Sequence, residues 1–187
     1  MLTPHIESLI EQTRNRVLQT LDRHGEFVII RQRYRPFDGQ PSCPYCYDED
    51  YKQATISRCT KCFGVGFKDG YKPPVLTKAT LGNAEEQIEQ TQTGFVRIKQ
   101  IPSAIGWEPI LHDGDLLVSV DVDPISGEII QEYGRFQIKN VQHQKLYGKV
   151  VSQIFYLSKV QPNALEMEVP IYLYDSDEEE GVQSDEY

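Results

Sequence analysis

The apolar positions Ile6, Leu9, Ile10, Val17 and Leu21, with Thr13 among them, fall close to one face of a 3.6-residue helix. Thr3 suits the N-cap and Pro4 the first helical position, and Gly25 ends the pattern. The stretch Glu26-Phe27-Val28-Ile29-Ile30-Arg31-Gln32-Arg33-Tyr34 is rich in β-branched and aromatic residues and predicts a strand that Pro36 stops.

From Val75 to Tyr174 the pattern is mostly that of strands separated by turns. Phe95-Val96-Arg97-Ile98 alternates, Asp115 to Val120 follows the turn His112-Asp113-Gly114, and Ile129-Ile130 follows Pro124-Ile125-Ser126-Gly127. Further strands are expected at 135–141, 149–160 and 165–174. Residues 81–93, rich in Glu and Gln, read as an exposed loop or a short polar helix. No helix long enough for a crossover follows the first, so the expected fold is mainly β, an antiparallel sandwich or a small barrel. The sequence divides into an N-terminal helix and first strand (1–37), an insertion (38–74), a β-rich body (75–174) and a tail (175–187). No internal repeat is present.

A chain of 187 residues with 39% hydrophobic content can bury one proper core. No apolar run approaches the eighteen or more residues of a membrane span, so no membrane partner is expected. The formal net charge of −9 changes meaning once it is located. Residues 175–187 hold seven acids and no base, which leaves 21 acids against 19 bases, or −2, elsewhere. Such a tail has too little apolar surface to offset its ordering entropy and is expected to be disordered or extended. A sharper expectation is an acidic strap docked on the basic surface of a neighbouring subunit.

The chain's four cysteines form two CxxC pairs, Cys43-Pro44-Tyr45-Cys46 and Cys59-Thr60-Lys61-Cys62, twelve residues apart. Two thiolate hooks at this spacing suit a tetrahedral, four-sulfur structural zinc site, a zinc ribbon. Two disulfides would need an oxidising compartment, and no charged-then-apolar leader follows Met1, so reduced thiols are expected. An iron–sulfur cluster could use the same four ligands. Residues 41–71 offer only Tyr45, Tyr47, Tyr51, Ile56, Phe63, Val65 and Phe67 to pack, too little to fold alone. Bound metal would supply that folding energy, roughly 10–16 kcal/mol for structural zinc in small peptides. Gly64, Gly66 and Gly70 provide positive-φ positions for the ribbon to turn.

Catalytic patterns are lacking. His5, His24, His112 and His143 are scattered, with no HExxH pair, and no phosphate loop or GxSxG elbow occurs. Asp113 with Asp115, and Asp121 with Asp123, could be written as carboxylate pairs, but Asp beside Gly or Pro is what turns require. No enzyme is expected. Nucleic-acid binding is the main rival: Arg31, Arg33, Arg35, Lys52, Arg58, Lys61, Lys68 and Lys72 are interleaved with aromatics around the ribbon. Asp38, Asp48, Glu49, Asp50 and Asp69 reduce that stretch to about +3, and the body adds no basic stripe.

The strings Cys43-Pro-Tyr-Cys-Tyr-Asp and Ser57-Arg-Cys-Thr-Lys-Cys-Phe-Gly-Val-Gly-Phe, then Asp69-Gly-Tyr and Pro73, resemble the zinc-ribbon insertion of tailed-bacteriophage neck proteins. That pattern is roughly CPxCYD, a spacer, then SxCPxCxGTGFxGGY. Thr60, Val65 and Asp69 depart from it, and none removes a metal ligand. Gly114-Asp-Leu-Leu-Val, Gly134-Arg-Phe-Gln-Ile-Lys-Asn-Val and Val151-Ser-Gln-Ile-Phe resemble the β-domain of the same head–tail connectors. A shorter similarity, Cys59-Thr-Lys-Cys-Phe-Gly-Val-Gly, is to the CxxCxGxG modules of DnaJ-type chaperones, which repeat the motif four times where one full copy stands here.

The neck resemblance implies a virion protein, assembled in the bacterial cytoplasm, acting as adaptor, stopper or head-closure ring. Its implied partners are copies of itself, portal or adaptor and tail-side proteins, with packaged DNA in the channel. Structural zinc on Cys43, Cys46, Cys59 and Cys62 is the implied cofactor.

Overall fold

A computed structural model describes residues 3–48, 50–51, 53–54, 56, 58–91 and 94–172, with backbone alone at 53–54, 85–91 and 94–98. The tail 175–187 lies outside the described residues. The elements, in chain order, are α1 (Pro4–His24), β1 (Glu26–Arg31), β2 (Tyr47–Asp48), β3 (Gln53–Ala54), β4 (Val75–Leu81), β5 (Glu85–Thr91), β6 (Gly94–Ile105), β7 (Leu116–Val122), β8 (Ile129–Leu146) and β9 (Lys149–Lys159). The chain is mainly β with one N-terminal helix, as the periodicity predicts.

Helix α1 begins with Pro4 after the extended Thr3 and ends where the Gly25 N–H bonds the Leu21 carbonyl at 2.7 Å. Ile10 and Leu21 are buried, while Leu9, expected on the inner face, is exposed at its margin. The buried side packs across β4 and β9.

All strand pairings are antiparallel, and they return on themselves. The order β4-β1-β7-β8-β9-β6 is completed by β6 pairing with β4, through Ala79↔Ile105, Thr80↔Ala104 and Leu81↔Ser103. Six strands therefore form a closed cycle of hydrogen-bonded neighbours. Strand β5 stands apart from it, paired with the first half of β6 from Glu85↔Gln100 to Thr91↔Gly94. The expected loop or polar helix at 81–93 is thus largely a hairpin strand. Glu and Gln have weak strand propensity, and the neighbouring ladder decides the conformation.

Burial explains why β1 and β7 carry unbroken apolar runs. Val28, Ile30 and Leu117 face one cluster with Ile105, Leu111, Ile138, Phe155 and Leu157. Ile29, Leu116, Val118 and Val120 face the opposite side, where Tyr71, Val169 and Ile171 cover them and Phe63 and Val65 pack nearby. Strands covered on both faces lose the apolar–polar alternation of a half-solvated sheet. Each fully buried Val, Leu or Ile contributes roughly 1.5–3 kcal/mol.

The strand expected at 165–174 is not formed in its described part. Residues Leu165–Glu168 make a short 3-10 turn. Arg135 explains the difference, since its Nη1 donates to the Val169 carbonyl at 2.6 Å and the Glu166 carbonyl at 3.2 Å. These carbonyls are spent on a side chain, and Pro170 has no N–H for a ladder.

Candidate metal centre

The insertion grows out of the β1–β4 pair. Ile30 faces Val75 at the end of that ladder, and the two stems continue pairing beyond it. The Lys72 N–H bonds the Gln32 carbonyl at 2.7 Å and the Tyr34 N–H bonds the Gly70 carbonyl at 3.0 Å, with an Arg33↔Tyr71 bridge between. Further out, Lys68 N–H bonds the Pro41 carbonyl and Cys43 N–H the Gly66 carbonyl, both at 2.9 Å. A second bridge, Ser42↔Phe67, holds the stems at the base of the hooks.

Each CxxC then turns tightly. Tyr47 N–H bonds the Cys43 carbonyl at 3.0 Å, and Gly64 N–H bonds the Cys59 carbonyl at 3.0 Å. Phe63, Gly64 and Gly66 carry φ of 51°, 74° and 87°, so the chain reverses through left-handed positions after the second hook. Gly70, at φ 67°, also sits against backbone: a Cβ there would lie 2.3 Å from the Cys62 carbonyl oxygen.

The hooks bring the four predicted residues together. The sulfurs of Cys43, Cys46, Cys59 and Cys62 lie within 4.8 Å of one another, and all four residues are buried. Two separations are 3.9 Å, between Cys43 and Cys59, and 3.5 Å, between Cys46 and Cys62. A thiolate tetrahedron with metal–sulfur bonds of about 2.3 Å has sulfur–sulfur edges of about 3.8 Å, so a metal ion fits. An ion held by all four would keep no coordination position for water or substrate. These cysteines are also the ribbon's own buried cluster, separate from the two clusters of the body.

Burial pushes the Cys46 and Cys62 thiols up, and hydrogen bonds among the thiols reinforce this at Cys46. Burial acts upward on Cys59 too. There the N–H groups of Cys62 and Lys61 and neighbouring thiols outweigh it, bringing the pKa down to about 7. Backbone donors aimed at sulfur favour thiolate, and the Gly66 N–H, 3.3 Å from Cys62 Sγ, is another.

Behind the hooks, the arginines of the first stem lock the insertion to the body. Arg33 Nη2 pairs with Glu166 at 2.8 Å and its Nε donates to the Tyr71 hydroxyl at 3.1 Å. Arg35 Nη2 meets Asp115 at 2.8 Å, and the same carboxylate accepts the Arg33 and His112 N–H groups at 3.0 Å. Burial pushes the Asp115 carboxyl up against these bonds. Arg58 reaches the Asn163 carbonyl at 3.1 Å, and Lys72 pairs with Asp38 at 2.7 Å.

This network was not read from the sequence, although the period-two run Arg31, Arg33, Arg35 was its signal. Asp115 does more than shape a turn, being fully buried beneath the arginines. Asp123 accepts the Ile125 and Ser126 N–H groups, as turn-forming residues do, whereas Asp113 reaches outside its own turn to accept the Val141 N–H of β8. His112 and His143 meet edge to face at 6.3 Å, with His143 Nε2 3.1 Å from the Leu111 carbonyl. His5 and His24 are exposed. Among the described residues the four cysteines are the only group of three or more His, Cys, Asp or Glu placed to hold a metal ion. No helix there is long and apolar enough to cross a membrane. No protein-family model and no curated protein matches this sequence.

Proposed function

We propose that the chain is a non-enzymatic neck protein of a tailed-phage virion, a ring-forming adaptor, stopper or head-closure subunit. In this reading the metal is structural zinc on Cys43, Cys46, Cys59 and Cys62, and the closed cycle of strands is a small barrel. The observation that carries it is a closed four-thiol site on an insertion welded to a β-body. Such a device keeps a surface rigid before its partner arrives, which lowers the entropic cost of association.

The exposed side chains supply the surface. Tyr45, Tyr51 and Ile56 stand out on the ribbon, and Phe37 at its root is 99% exposed. Aromatic anchors of this kind are enriched in protein interfaces. The nucleic-acid reading draws on the same tyrosines, but half of its eight cations are used internally: Arg33, Arg35, Arg58 and Lys72 are bound to groups of the chain itself. Phosphate contacts need cations that are free to release counterions.

The test is protein chemistry of purified virions. Recovery of the protein in stoichiometric, ring-sized amounts supports the neck. Its presence in infected-cell lysate alone would exclude that reading, and steep salt-dependent DNA binding would favour the rival. Metal analysis should return about one zinc per chain, and iron in its place would point to a cluster.

A further inference from the structure

The end of β1 carries a buried cation with no acid bonded to it. Arg31 lies on the same side of the strand as Ile29, under the ribbon, and is only 7% exposed. Its Nε has no hydrogen-bond partner among the described residues, and burial pulls its pKa below the arginine range. The next two arginines at period two, Arg33 and Arg35, are by contrast paired with Glu166 and Asp115. A buried, unpaired charge is among the most costly features a fold can carry. Arginine stays protonated, so pairing with an anion is the remaining route.

Arg31 lines a cavity of about 540 Å³ at the junction of ribbon and body. That volume lies within the range of small-molecule sites, about 300–1,000 Å³. Its rim is open, since Lys61, Asp69 and Tyr172 are exposed. Lys61 supplies a second cation there. Asp69 is the one acid lining the cavity; its carboxylate is 3.4 Å from Gln40 Nε2 and joins neither cation in an ion pair among the described residues. Two cations and one acid leave a single positive charge, which one carboxylate neutralises and a phosphate dianion exceeds. Guanidinium and carboxylate also match as planar groups that share parallel N–H···O bonds. The rings of Tyr34, Tyr71, Pro74 and Pro170 supply walls for the apolar body of such an acid.

We propose that this cavity binds a small organic carboxylate, its carboxyl group paired with the Arg31 guanidinium, Lys61 assisting at the rim, and its apolar body between the tyrosine and proline walls. A bound acid then bridges β1 of the body and the second hook of the ribbon. Neither the identity of the metal nor membership of a virion enters this inference.

The arginine Nε–H resonances of the full-length, metal-loaded, ¹⁵N-labelled protein test it, with the Arg31 signal assigned by through-bond correlation from its backbone. Sodium benzoate is the probe, and benzamide, of the same shape without charge, is its control. Benzoate should move the Arg31 Nε–H signal saturably, benzamide at equal concentration should leave it in place, and inorganic phosphate should bind several-fold more weakly than benzoate. Lys61→Ala should weaken benzoate several-fold. Lys68→Ala, altering a lysine exposed on the same ribbon but outside the cavity, should not. An Arg31 signal that benzoate does not move saturably would show an arginine that is merely solvated and overturn the assignment. Equal effects of benzamide and benzoate, tighter binding of phosphate, or an unchanged benzoate affinity in Lys61→Ala would each overturn it too. The benzoate, benzamide and phosphate titrations use the unaltered chain, so the test does not depend on the folding of any variant.

Discussion

Single side chains in this protein carry structural work that their sequence neighbours do not announce. Gln153 is fully buried on β9 and satisfied on both ends: its amide donates to the Gly106 and Pro109 carbonyls at 3.0 and 2.8 Å, and its oxygen accepts the Leu111 N–H at 2.8 Å. Gln153→Leu leaves those three backbone groups buried and unpaired, and is expected to cost about 3 kcal/mol in urea unfolding. Asp38 acts at the surface. The Lys72 ammonium, with the Arg35 N–H assisting, holds its carboxyl below the usual 3.8. A depressed carboxylate stabilises the fold above its unfolded pKa and loses that contribution as pH falls through the lower folded value. Asp38→Asn should therefore be less stable than the parent at neutral pH, and the gap should close on acidification below about 3.8. Parallel unfolding curves of the two proteins from pH 6 downward would check this.

At the scale of elements, local and distant causes separate. The CxxC hooks, the glycine turns and the first helix were legible because their chemistry lies within a few residues. Gly39 and Gly70 illustrate how far that reading extends. Both have positive φ, but a Cβ at Gly39 meets nothing within 4 Å, whereas at Gly70 it strikes the Cys62 backbone. Gly39→Ala should cost about 1–2 kcal/mol for its left-handed backbone alone. Gly70→Ala should cost clearly more and lower metal occupancy, measured by denaturation and metal content. Only the folded chain distinguishes the two, since Cys62 is eight residues away. The same holds for 165–172, whose apolar content predicts a strand until Arg135 takes its carbonyls. Arg135→Ala should raise hydrogen exchange across 165–172 while leaving the β7–β8 and β8–β9 ladders protected. The polar strand β5 was missed for a related reason, because its partner β6, rather than its own composition, determines its conformation.

At the scale of the whole molecule, two kinds of core meet. The body has two apolar clusters, while the ribbon's buried cluster consists of its four cysteines. Chelation of the metal should melt the ribbon and leave the body folded, giving loss of one of two calorimetric transitions. The body's own transition should also shift down, because Phe63, Val65 and Tyr71 cover the outer side of β1 and β7. A single unchanged transition after complete metal removal would show that the thiol cluster supports itself. Much of the mainly β architecture could be read from alternation and turns. The welding of insertion to body could not, since Arg33–Glu166 and Arg35–Asp115 join residues 133 and 80 positions apart.

The stems of the insertion leave the body from two adjacent strands at the same end, where Ile30 faces Val75. A load applied to the ribbon therefore pulls β1 and β4 in one direction, together. Nothing in that geometry unzips the pair itself. The force instead runs lengthwise against β7, bonded to β1, and β6, bonded to β4, whose rows of hydrogen bonds must yield in shear, many at a time. Tension on the ribbon is thus spread into two flanking ladders rather than concentrated at a single peeling bond.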